Sequence, residues 1–367
     1  MALTPLDDQR LREALVLAEA SIGLSEPNPR VGCVVGHADG RMLGRGCTQA
    51  VGGPHAEVVA LRDARSAGHD LRGATVWVTL EPCAHHGRTP PCVDALIDAG
   101  VARVVVAVGD PFPSVAGQGL QRLRAAGIAV ALADGDLAAA ARELNIGFFS
   151  RIERGRPWVR LKVAASLDGR TALADGRSQW ITGEPARTDG HAWRRRAGAV
   201  LTGVGTVLAD DPRLDVRLVP TIVQPLRVVL DPSGRTPPGA RVLAPGGRVL
   251  VVGTPGQGVA PVDGVERIEL GAAGGRPDLA AVLAALAARQ VNELQVEAGA
   301  VLNGAFLAAG LVDECLLYLA PMWIGPGRPL AELAPLVALD DAPRWRLIEH
   351  RALGADLCLR LRPPRSA

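Results

Sequence analysis

The sequence predicts two α/β domains, one over residues 1–152 and the other over residues 157–367. Three observations support this division. The chain has 367 residues, and one domain usually takes roughly 100–200 residues. Strand and helix patterns alternate through both halves, as in layered α/β folds. A polar stretch at residues 151–157, interrupted by Gly and Pro, separates the last helical pattern of the first half from a new strand pattern at Trp158.

In the first half, apolar residues with helical spacing predict the helices, and short apolar runs between turn residues predict the strands. In chain order these are a helix at residues 8–23, strands at 31–36 and 42–46, a helix at 55–67, a strand at 74–80, a helix at 91–99, a strand at 103–108, a helix at 119–126, a strand at 128–132 and a helix at 137–151. Such alternation is typical of a layered α/β domain.

The second half alternates in the same way. Strands are predicted at residues 158–164, 199–202, 226–230, 248–252, 293–297 and 314–319, and helices at 184–196, 278–289 and 302–309. Gly- and Pro-rich stretches at residues 232–247 and 254–264 are predicted to be loops. No fixed period relates the two halves, so the chain is not a repeat protein.

Composition excludes several classes of protein. Apolar residues make up 48% of the chain and charged residues 21%, which argues against disorder. The net charge of +2 with interspersed signs argues against nucleic acid as a partner. No apolar run is long enough for a membrane span, and acids at Asp7, Asp8 and Glu13 disfavour a signal peptide. Six cysteines are too few for a disulfide scaffold, so we expect a cytoplasmic protein with metal-binding or catalytic cysteines.

The basic residues are strongly skewed toward arginine. Of 40 Lys and Arg residues, only Lys162 is a lysine, and Asn and Tyr are scarce as well. This skew is typical of genome-wide base composition acting on exchangeable surface positions. A lysine should persist where a compact ammonium is needed and a guanidinium fits poorly. The alternative is that one lysine survived by chance on a surface strand.

A first group of residues has the chemistry of a catalytic zinc site. His55 and Glu57 open a predicted helix, Cys83 follows a predicted strand, and Cys92 starts the next helix. One imidazole and two thiolates supply three zinc ligands and leave a fourth position for water. Glu57, one residue beyond His55, is predicted to accept a proton from that water. The order matches zinc deaminases, except that eight residues rather than two separate the cysteines.

The residues between these cysteines carry a family resemblance. Cys-Ala-His-His-Gly-Arg-Thr-Pro-Pro-Cys at residues 83–92, with Pro-Asn-Pro-Arg-Val-Gly at residues 27–32, resembles the deaminase half of the bifunctional riboflavin-biosynthesis deaminase–reductase family. The resemblance implies that Asn28 hydrogen-bonds a pyrimidine ring and that His85 and Arg88 hold its ribose phosphate. Two positions depart from the family, since Ala84 replaces a usual Ser and Thr48 a common His. The alternatives to these substrate contacts are that Arg88 is a solvated surface residue and that Asn28 is only a turn residue.

The second half lacks the Gly-x-Gly-x-x-Gly fingerprint of a standard dinucleotide fold. Residues 161–170, 178–182, 202–217 and 297–302 nevertheless resemble the reductase half of the same family, so the resemblance covers essentially the whole chain. It implies a cytidine-deaminase-like three-layer α/β/α first domain and a dihydrofolate-reductase-like α/β second domain. It also implies that the first domain is the zinc-dependent pyrimidine deaminase and the second the NADPH-dependent reductase.

The resemblance further assigns residues to two ligands in the second domain. NADPH is expected to contact Ala164, Trp180, Thr206, Asp210, Gly299, Ala300, Val301 and Leu302. The sugar phosphate is expected to contact Ser178, Arg194, Leu214, Arg217 and Glu297, and Lys162 is expected to direct its charge at the sugar or its phosphate. Glycines after a strand and before a helix suit this role, because backbone N–H groups there can approach phosphate. The alternatives to these ligand contacts are that Trp180 is a core residue, that Asp210 belongs to a turn and that Arg194 lies on a solvated helix face.

The sequence therefore predicts a zinc hydrolase and NADPH oxidoreductase acting twice on one small pyrimidine ribotide. It deaminates 2,5-diamino-6-ribosylamino-4(3H)-pyrimidinone 5′-phosphate and then reduces the ribosyl chain to ribityl, with Asp168 or Glu297 assisting proton transfer. The resemblance also implies a homo-oligomer. A nucleic-acid deaminase is the main alternative, but only 11 aromatic residues are present, few for base stacking. A metabolite-binding regulator with structural zinc is the other.

Overall fold

The structure is a computed structural model that describes residues 3–87, 90–112, 116–256 and 262–364. The chain divides into two compact units, Met1–Arg154 and Gly155–Ala367. Among the described residues, none of the helices has both the length and the apolar character needed to cross a membrane.

The first unit consists of a five-stranded sheet and six helices among its described residues. The strand order is β2-β1-β3-β4-β5. Strand β1 is antiparallel to β2 and β3, whereas β3, β4 and β5 are mutually parallel. The elements are α1 (Pro5–Glu19), β1 (Gly32–Gly36), β2 (Met42–Cys47), α2 (Ala56–Ser66), β3 (Thr75–Val78), α3 (Cys92–Asp98), β4 (Arg103–Val106), α4 (Gln118–Ala125), β5 (Ala129–Leu132), α5 (Gly135–Leu144) and α6 (Ile146–Arg154).

Both faces of this sheet are buried. Val76, Val78 and Val104 face the core that contains α2 and α3, while Trp77 and Val105 face the opposite core beneath α1 and α5. Neighbouring residues of one strand therefore enter different cores, which explains why the central strands are almost continuously apolar. The result is the three-layer α/β/α arrangement predicted from the sequence.

One predicted element of this unit is wrong. The single helix predicted at residues 137–151 is two helices, α5 and α6, separated at Asn145. The Asn145 side chain accepts a hydrogen bond from the Arg30 backbone N–H at 2.7 Å and donates one to the Arg30 carbonyl at 2.8 Å. This buried amide secures the chain just before β1, because an asparagine side chain satisfies both backbone groups of one residue.

The second unit is built on a nine-stranded sheet of order β11-β10-β9-β8-β14-β6-β15-β18-β17. Its elements are β6 (Trp158–Ser166), β7 (Arg170–Leu173), α7 (Glu184–Arg196), β8 (Ala199–Gly203), α8 (Val204–Asp210), β9 (Leu226–Leu230), β10 (Val249–Gly253), β11 (Val265–Glu269), β12 (Ala272–Ala273), β13 (Arg276–Pro277), α9 (Leu279–Ala288), β14 (Glu293–Val296), α10 (Ala300–Ala308), β15 (Glu314–Ala320), β16 (Gly327–Pro329), β17 (Arg346–Leu353) and β18 (Asp356–Arg362), with 3₁₀ turns at Arg241–Leu243 and Leu339–Asp341.

The nine-stranded sheet is parallel from β11 through β15, and the final hairpin of β17 and β18 adds antiparallel strands at one edge. Along β6, Val159, Leu161 and Val163 enter a core shared with α9 and α10. The alternate residues Arg160 and Lys162 are directed to the other face. These two charged side chains therefore lie beneath the helix that covers this face of the sheet.

Several elements of the second unit were not predicted. The hairpin of β17 and β18 is the largest omission, although Leu357, Leu359 and Leu361 recur at every second position and Gly354 occupies the turn with φ 67°. Much of β17 is exposed and rich in charged residues, so its strand pattern is weak. The short helix α8 was also missed, because it follows β8 without a polar break.

A buried carboxylate anchors the first helix. Thr4 and Asp7 form a reciprocal capping box at the start of α1. The Asp7 carboxylate also accepts hydrogen bonds from both Arg103 guanidinium NH groups, at 2.6 and 2.8 Å, and from the Trp77 indole at 2.7 Å. Burial raises the pKa of Asp7, but these hydrogen bonds outweigh it and hold the pKa below its usual range. One side chain thus joins α1 to β3 and β4.

Replacing this carboxylate should destabilise the first unit. We expect Asp7→Ala to lower its free energy of unfolding by about 3 kcal/mol at neutral pH, because Arg103 and Trp77 lose their shared acceptor. Because the folded-state pKa is depressed, the stabilisation is complete above the pKa of the unfolded carboxyl and is lost as the pH falls. The difference between wild type and variant should therefore shrink below about pH 4. Urea unfolding followed by hydrogen exchange of first-unit peptides measures both quantities.

Asp8→Ala is the matched control for this experiment. Asp8 is adjacent in α1 but pairs with Arg12 on the exposed helix surface, where the two side chains are 47% and 59% accessible. Exposed pairs contribute little, so this variant should unfold like the wild type. Equal unfolding midpoints for Asp7→Ala and Asp8→Ala would show that Asp7 is not the anchor.

Candidate active sites

Three predicted zinc ligands converge in the first unit. His55 is the N-cap of α2, Cys92 is the first residue of α3, and Cys83 lies between β3 and α3. The His55 Nδ1 atom is 3.6 Å from the Cys83 Sγ and 3.3 Å from the Cys92 Sγ. The ligand atoms of all three lie within 4.8 Å of one another. One nitrogen and two sulfur donors at this separation fit a zinc ion with an open coordination position.

The environment of this cluster favours a thiolate and a basic carboxylate. The Cys92 backbone N–H donates to the Cys83 Sγ at 3.3 Å, and hydrogen bonds from Cys92 and His55 lower the pKa of the Cys83 thiol. Glu57 is only 4% exposed. Burial, together with the negative charge of Cys83, raises the pKa of Glu57 to about 7. A carboxyl of this kind can accept and return a proton near neutral pH.

Sequence reasoning missed a second carboxyl close to this cluster. Asp110 follows β4, the strand next to β3, so it lies at the same edge of the sheet as Cys83. Burial raises the pKa of Asp110 to about 6, and the charges of Glu81 and Cys83 contribute in the same direction. The position after a buried parallel strand was the available sequence indication.

Glu81 holds the segment that contains Asp110. Its buried carboxylate accepts hydrogen bonds from four backbone N–H groups, at distances of 3.0 to 3.3 Å, donated by Asp110, Gly117, Gly119 and Leu120. At Gly119 a side chain would not fit, because a Cβ there would lie 2.1 Å from the Pro82 carbonyl oxygen. Gly119 is therefore packed directly on the chain that leads to Cys83.

Two of the three predicted pyrimidine and phosphate contacts lie within the described residues. Asn28 is half-buried, and its backbone N–H donates to the Ser25 carbonyl at 2.7 Å. His85 is exposed and stacks on Phe112 with ring centroids 6.3 Å apart. Arg88 lies outside the described residues. The assignment of these three residues to substrate remains a prediction.

The two departures from the family have different environments. Thr48 is 2% exposed, and its hydroxyl oxygen accepts a hydrogen bond from the Val31 backbone N–H at 3.2 Å. This side chain is thus part of the scaffold at the start of β1. Ala84 is half-buried against the core, and its carbonyl accepts a hydrogen bond from Arg122.

In the second unit, two predicted phosphate contacts bind each other. The Arg194 guanidinium, on α7, donates to both oxygens of the Glu297 carboxylate at 2.6 and 2.9 Å and to the Asp215 carbonyl at 2.9 Å. Burial raises the pKa of Glu297, but Arg194 outweighs it, and the net pKa is far below the usual range. Glu297 is therefore a permanent carboxylate and Arg194 a fixed cation.

Lys162 lies on β6 close to this pair. Burial lowers the pKa of its ammonium, Glu297 raises it, and Arg194 lowers it further. The side chain is half-buried beneath α7 rather than on an open surface, where a Cβ built on Gly190 would lie 3.7 Å from the Lys162 Cε. The structure thus brings together Lys162, Arg194 and Glu297.

Two helix N-termini meet where the cofactor phosphates are expected. Strands β8 and β14 are parallel neighbours, so α8 and α10, which follow them, begin at the same edge of the sheet. A Cβ built on Gly299, the N-cap of α10, would lie 3.8 Å from the Thr206 hydroxyl, and one on Gly205 would meet open space. Converging N–H groups with room above them fit the phosphates of a dinucleotide. Ala300, Val301 and Leu302 continue the first turn of α10.

The remaining predicted contacts are distributed around this region. The Ser178 hydroxyl donates to Asp210 at 3.1 Å, which joins a predicted substrate contact to a predicted cofactor contact. Trp180 is 64% exposed and lies under the Arg187 guanidinium, so it is not a core residue. Ala164 is half-buried on β6, two residues beyond Lys162.

Leu214 and Arg217 lie on a segment held by α7. Leu214 is 2% exposed and has φ 53°, a left-handed conformation that Leu rarely adopts. The Arg217 backbone N–H donates to His191 Nδ1 at 3.1 Å, and its side chain pairs with Asp215 at 2.6 Å. Burial, with the charges of Arg194 and Arg217, lowers the pKa of His191 to about 4, so this acceptor stays neutral.

Comparison with known proteins gives a consistent result. Residues 5–108 match the cytidine and deoxycytidylate deaminase zinc-binding region, and residues 157–359 match the RibD C-terminal domain. The chain is 45% identical over 368 residues to the riboflavin biosynthesis protein RibD of Escherichia coli (strain K12), which covers 97% of this chain and 99% of that protein. It is 40% identical over 358 residues to the protein of that name from Aquifex aeolicus, covering 96% and 98%.

Solved structures show the same similarity. RibD of Acinetobacter baumannii (form 1) superposes with a TM-score of 0.89 at 42% identity, covering 98% of this chain and 99% of that one. A diaminohydroxyphosphoribosylaminopyrimidine deaminase/5-amino-6-(5-phosphoribosylamino)uracil reductase from Thermotoga maritima superposes with a TM-score of 0.88 at 34% identity, also covering 98% and 99%.

Metal content tests the cluster directly. We expect Cys92→Ala to weaken zinc binding by about 100-fold or more, because the loss of a metal ligand should reduce the affinity more than the loss of a residue that only hydrogen-bonds to a ligand. Elemental analysis after dialysis against a weak chelator measures this. Cys47→Ala is the control, since Cys47 is a free cysteine outside the cluster. If both variants retain zinc equally, the cluster is not the metal site.

Proposed function

Because the chain belongs to the RibD family of riboflavin-biosynthesis enzymes, we propose that residues 1–152 deaminate a pyrimidine ribotide and residues 157–367 reduce its sugar. The protein is a bifunctional deaminase and reductase that uses zinc and NADPH. Its units have the deaminase-like and reductase-like α/β folds predicted from the sequence. The observation that carries the assignment of the first reaction is the cluster of His55, Cys83 and Cys92 beside the buried Glu57.

In the deamination, the substrate is 2,5-diamino-6-ribosylamino-4(3H)-pyrimidinone 5′-phosphate. Zinc, when held by His55, Cys83 and Cys92, supplies the positive charge that makes water a nucleophile near neutral pH. Glu57 accepts a proton from the attacking water and delivers it to the leaving nitrogen, so that ammonia departs. A carboxyl with a pKa near 7 suits both halves of that transfer. Asn28 orients the ring, and His85 and Arg88 bind the ribose phosphate.

In the reduction, the ribosylamino group opens to an imine, whose first sugar carbon becomes the ribityl carbon. NADPH supplies the hydride when bound, and Ala164, Trp180, Thr206, Asp210 and residues 299–302 hold it. Ser178, Arg194, Leu214, Arg217 and Glu297 hold the sugar phosphate. Lys162 directs its ammonium at the sugar. Asp168 is less suited to proton transfer, because it accepts hydrogen bonds from Ser166 and from the backbone of Ile324 and Gly325.

We also infer the setting in which the enzyme works. The substrate is a free ribotide rather than a nucleic acid, in keeping with the balanced charge of the chain. Six free cysteines agree with a reducing cytoplasm. Val337, Leu339 and Trp323 are 99%, 83% and 75% exposed, and we propose that a homo-oligomer buries such side chains.

Glu57→Gln separates proton transfer from metal binding. The amide keeps the shape of the side chain but cannot accept a proton, so we expect ammonia release to fall by about 1,000-fold or more. Zinc content should stay that of the wild type, because Glu57 is not a ligand. Ammonia is measured with the diaminopyrimidine ribotide as substrate. Wild-type ammonia release by a zinc-loaded Glu57→Gln enzyme would remove Glu57 from the mechanism.

Lys162→Arg tests the second reaction in isolation. The guanidinium is larger and planar, and the space beneath α7 suits a compact ammonium, so reduction should fall by about 100-fold. NADPH oxidation is followed after supplying the deaminated intermediate directly. Ammonia release by the same variant serves as the internal control and should equal that of the wild type. Normal NADPH oxidation would mean that the charge alone, in any shape, is sufficient.

A further inference from the structure

The only lysine of the chain and its only tyrosine lie next to each other. Lys162 is on β6 and Tyr318 on the parallel neighbour β15, where Leu316 is the register partner of Lys162 and Tyr318 that of Ala164. Both side chains project from the same face of the sheet, beneath α7. The Lys162 Nζ lies 5.5 Å from the centroid of the Tyr318 ring, within the range of a cation–π interaction.

The ring of Tyr318 is fixed through its hydroxyl group. Tyr318 is 1% exposed, and its hydroxyl donates to the Asp189 carboxylate at 2.6 Å. Asp189, on α7, also accepts hydrogen bonds from both terminal nitrogens of Arg351 on β17, at 3.1 and 3.2 Å. A charge-assisted bond to an anchored carboxylate leaves the ring little freedom to tilt.

The ammonium of Lys162 is held differently. Within the described residues it forms no ion pair. The stem of the side chain instead passes Gly190 on α7, and its charged end lies against the Tyr318 ring. An ammonium held by a ring face keeps its N–H donors available, whereas one held by a carboxylate does not.

We infer that Tyr318 is a positioning residue for the reduction, with Asp189 and Arg351 fixing the ring that aims the Lys162 ammonium at the sugar. This inference rests on the proposed role of Lys162. Tyr318 does not itself move a proton, because burial and the Asp189 charge raise the pKa of its phenol far above the usual range. It acts only through the placement and the protonation of its neighbour.

Loss of this support should also change the pH dependence of the reduction. Among the described residues, the charged or titratable groups that act on the ammonium besides Tyr318 are Glu297 after β14, Arg194 on α7 and Cys358 on β18. A ring whose hydroxyl donates to a carboxylate is more electron-rich and favours the ammonium form. A weaker ring contact favours the neutral amine. As the pH is raised, a variant with this weaker contact should therefore lose its reductase activity at a lower pH than the wild type does.

The experiment compares Tyr318→Phe and Tyr318→Leu in the full-length, zinc-loaded enzyme, with the deaminated intermediate and NADPH as substrates. We expect kcat for reduction to fall by about tenfold in Tyr318→Phe and by about 100-fold in Tyr318→Leu. In the plot of kcat against pH, the basic limb should move to lower pH in both variants, and it should move further in Tyr318→Leu than in Tyr318→Phe. Ammonia release should be unchanged in both.

A second pair of variants distinguishes positioning from a general loss of stability. Asp189→Ala removes the acceptor of the Tyr318 hydroxyl and should reproduce Tyr318→Phe, including the shift of the basic limb. Asp313→Ala is the matched control, because Asp313 accepts a fork of two hydrogen bonds from Arg156 at 2.7 Å just before β15 begins. It should leave both kcat and the limb as in the wild type.

The outcomes separate this inference from the function on which it rests. If Lys162→Ala abolishes reduction while Tyr318→Phe keeps the wild-type kcat and pH profile, the positioning role is wrong and the role of Lys162 stands. If Asp313→Ala lowers kcat and shifts the limb as much as Asp189→Ala, stability explains both and the positioning role is again wrong. If Lys162→Ala reduces the intermediate normally, the proposed role of Lys162 fails first.

Discussion

The chemistry of both units depends on one backbone constraint, which is that strands of one sheet that point the same way end at the same edge of that sheet. In the first unit, β2 and β3 are both antiparallel to β1, so α2 and α3 begin side by side and bring His55 to Cys92. In the second, the parallel pair β8 and β14 places the starts of α8 and α10 together. Helix N-termini carry free N–H groups and partial positive charge, which stabilises a thiolate in one unit and suits a phosphate in the other.

Within that frame, the partners of a buried glutamate decide what it can do. Glu57 and Glu297 are both shielded from water, and burial alone raises the pKa of each. Glu57 lies beside a thiolate, so its affinity for a proton increases and it can act as a base near neutral pH. Glu297 receives a bidentate arginine, so it stays ionised and can only hold charge and position. The same side chain thus serves proton transfer in one unit and electrostatic organisation in the other, and Arg194 makes the difference.

Most strands, most helices of the first unit and the metal cluster could be predicted from the sequence, because periodic apolar patterns and ligand spacing are local properties. Prediction failed where a distant contact decides the structure. Asn145 ends a helix because its amide reaches the backbone of Arg30, far away in the chain. Asp110 belongs beside Cys83 only because β4 pairs with β3. The β17 edge strand is exposed and charged, so it lacks the continuous apolar run that burial on both faces imposes on inner strands.

Composition drew attention to one residue, Lys162, within a segment that also carries the family resemblance. In a chain with 40 basic residues and one lysine, that lysine stands out, and the structure places it half-buried beneath α7 rather than on an open surface. The same reasoning extends to tyrosine, because Phe would fill the space of Tyr318 nearly as well and only the hydroxyl distinguishes them. That the two exceptions touch is a structural fact that neither count contains. A skewed composition therefore reduces the number of residues to consider, and the fold shows which of them lie next to each other.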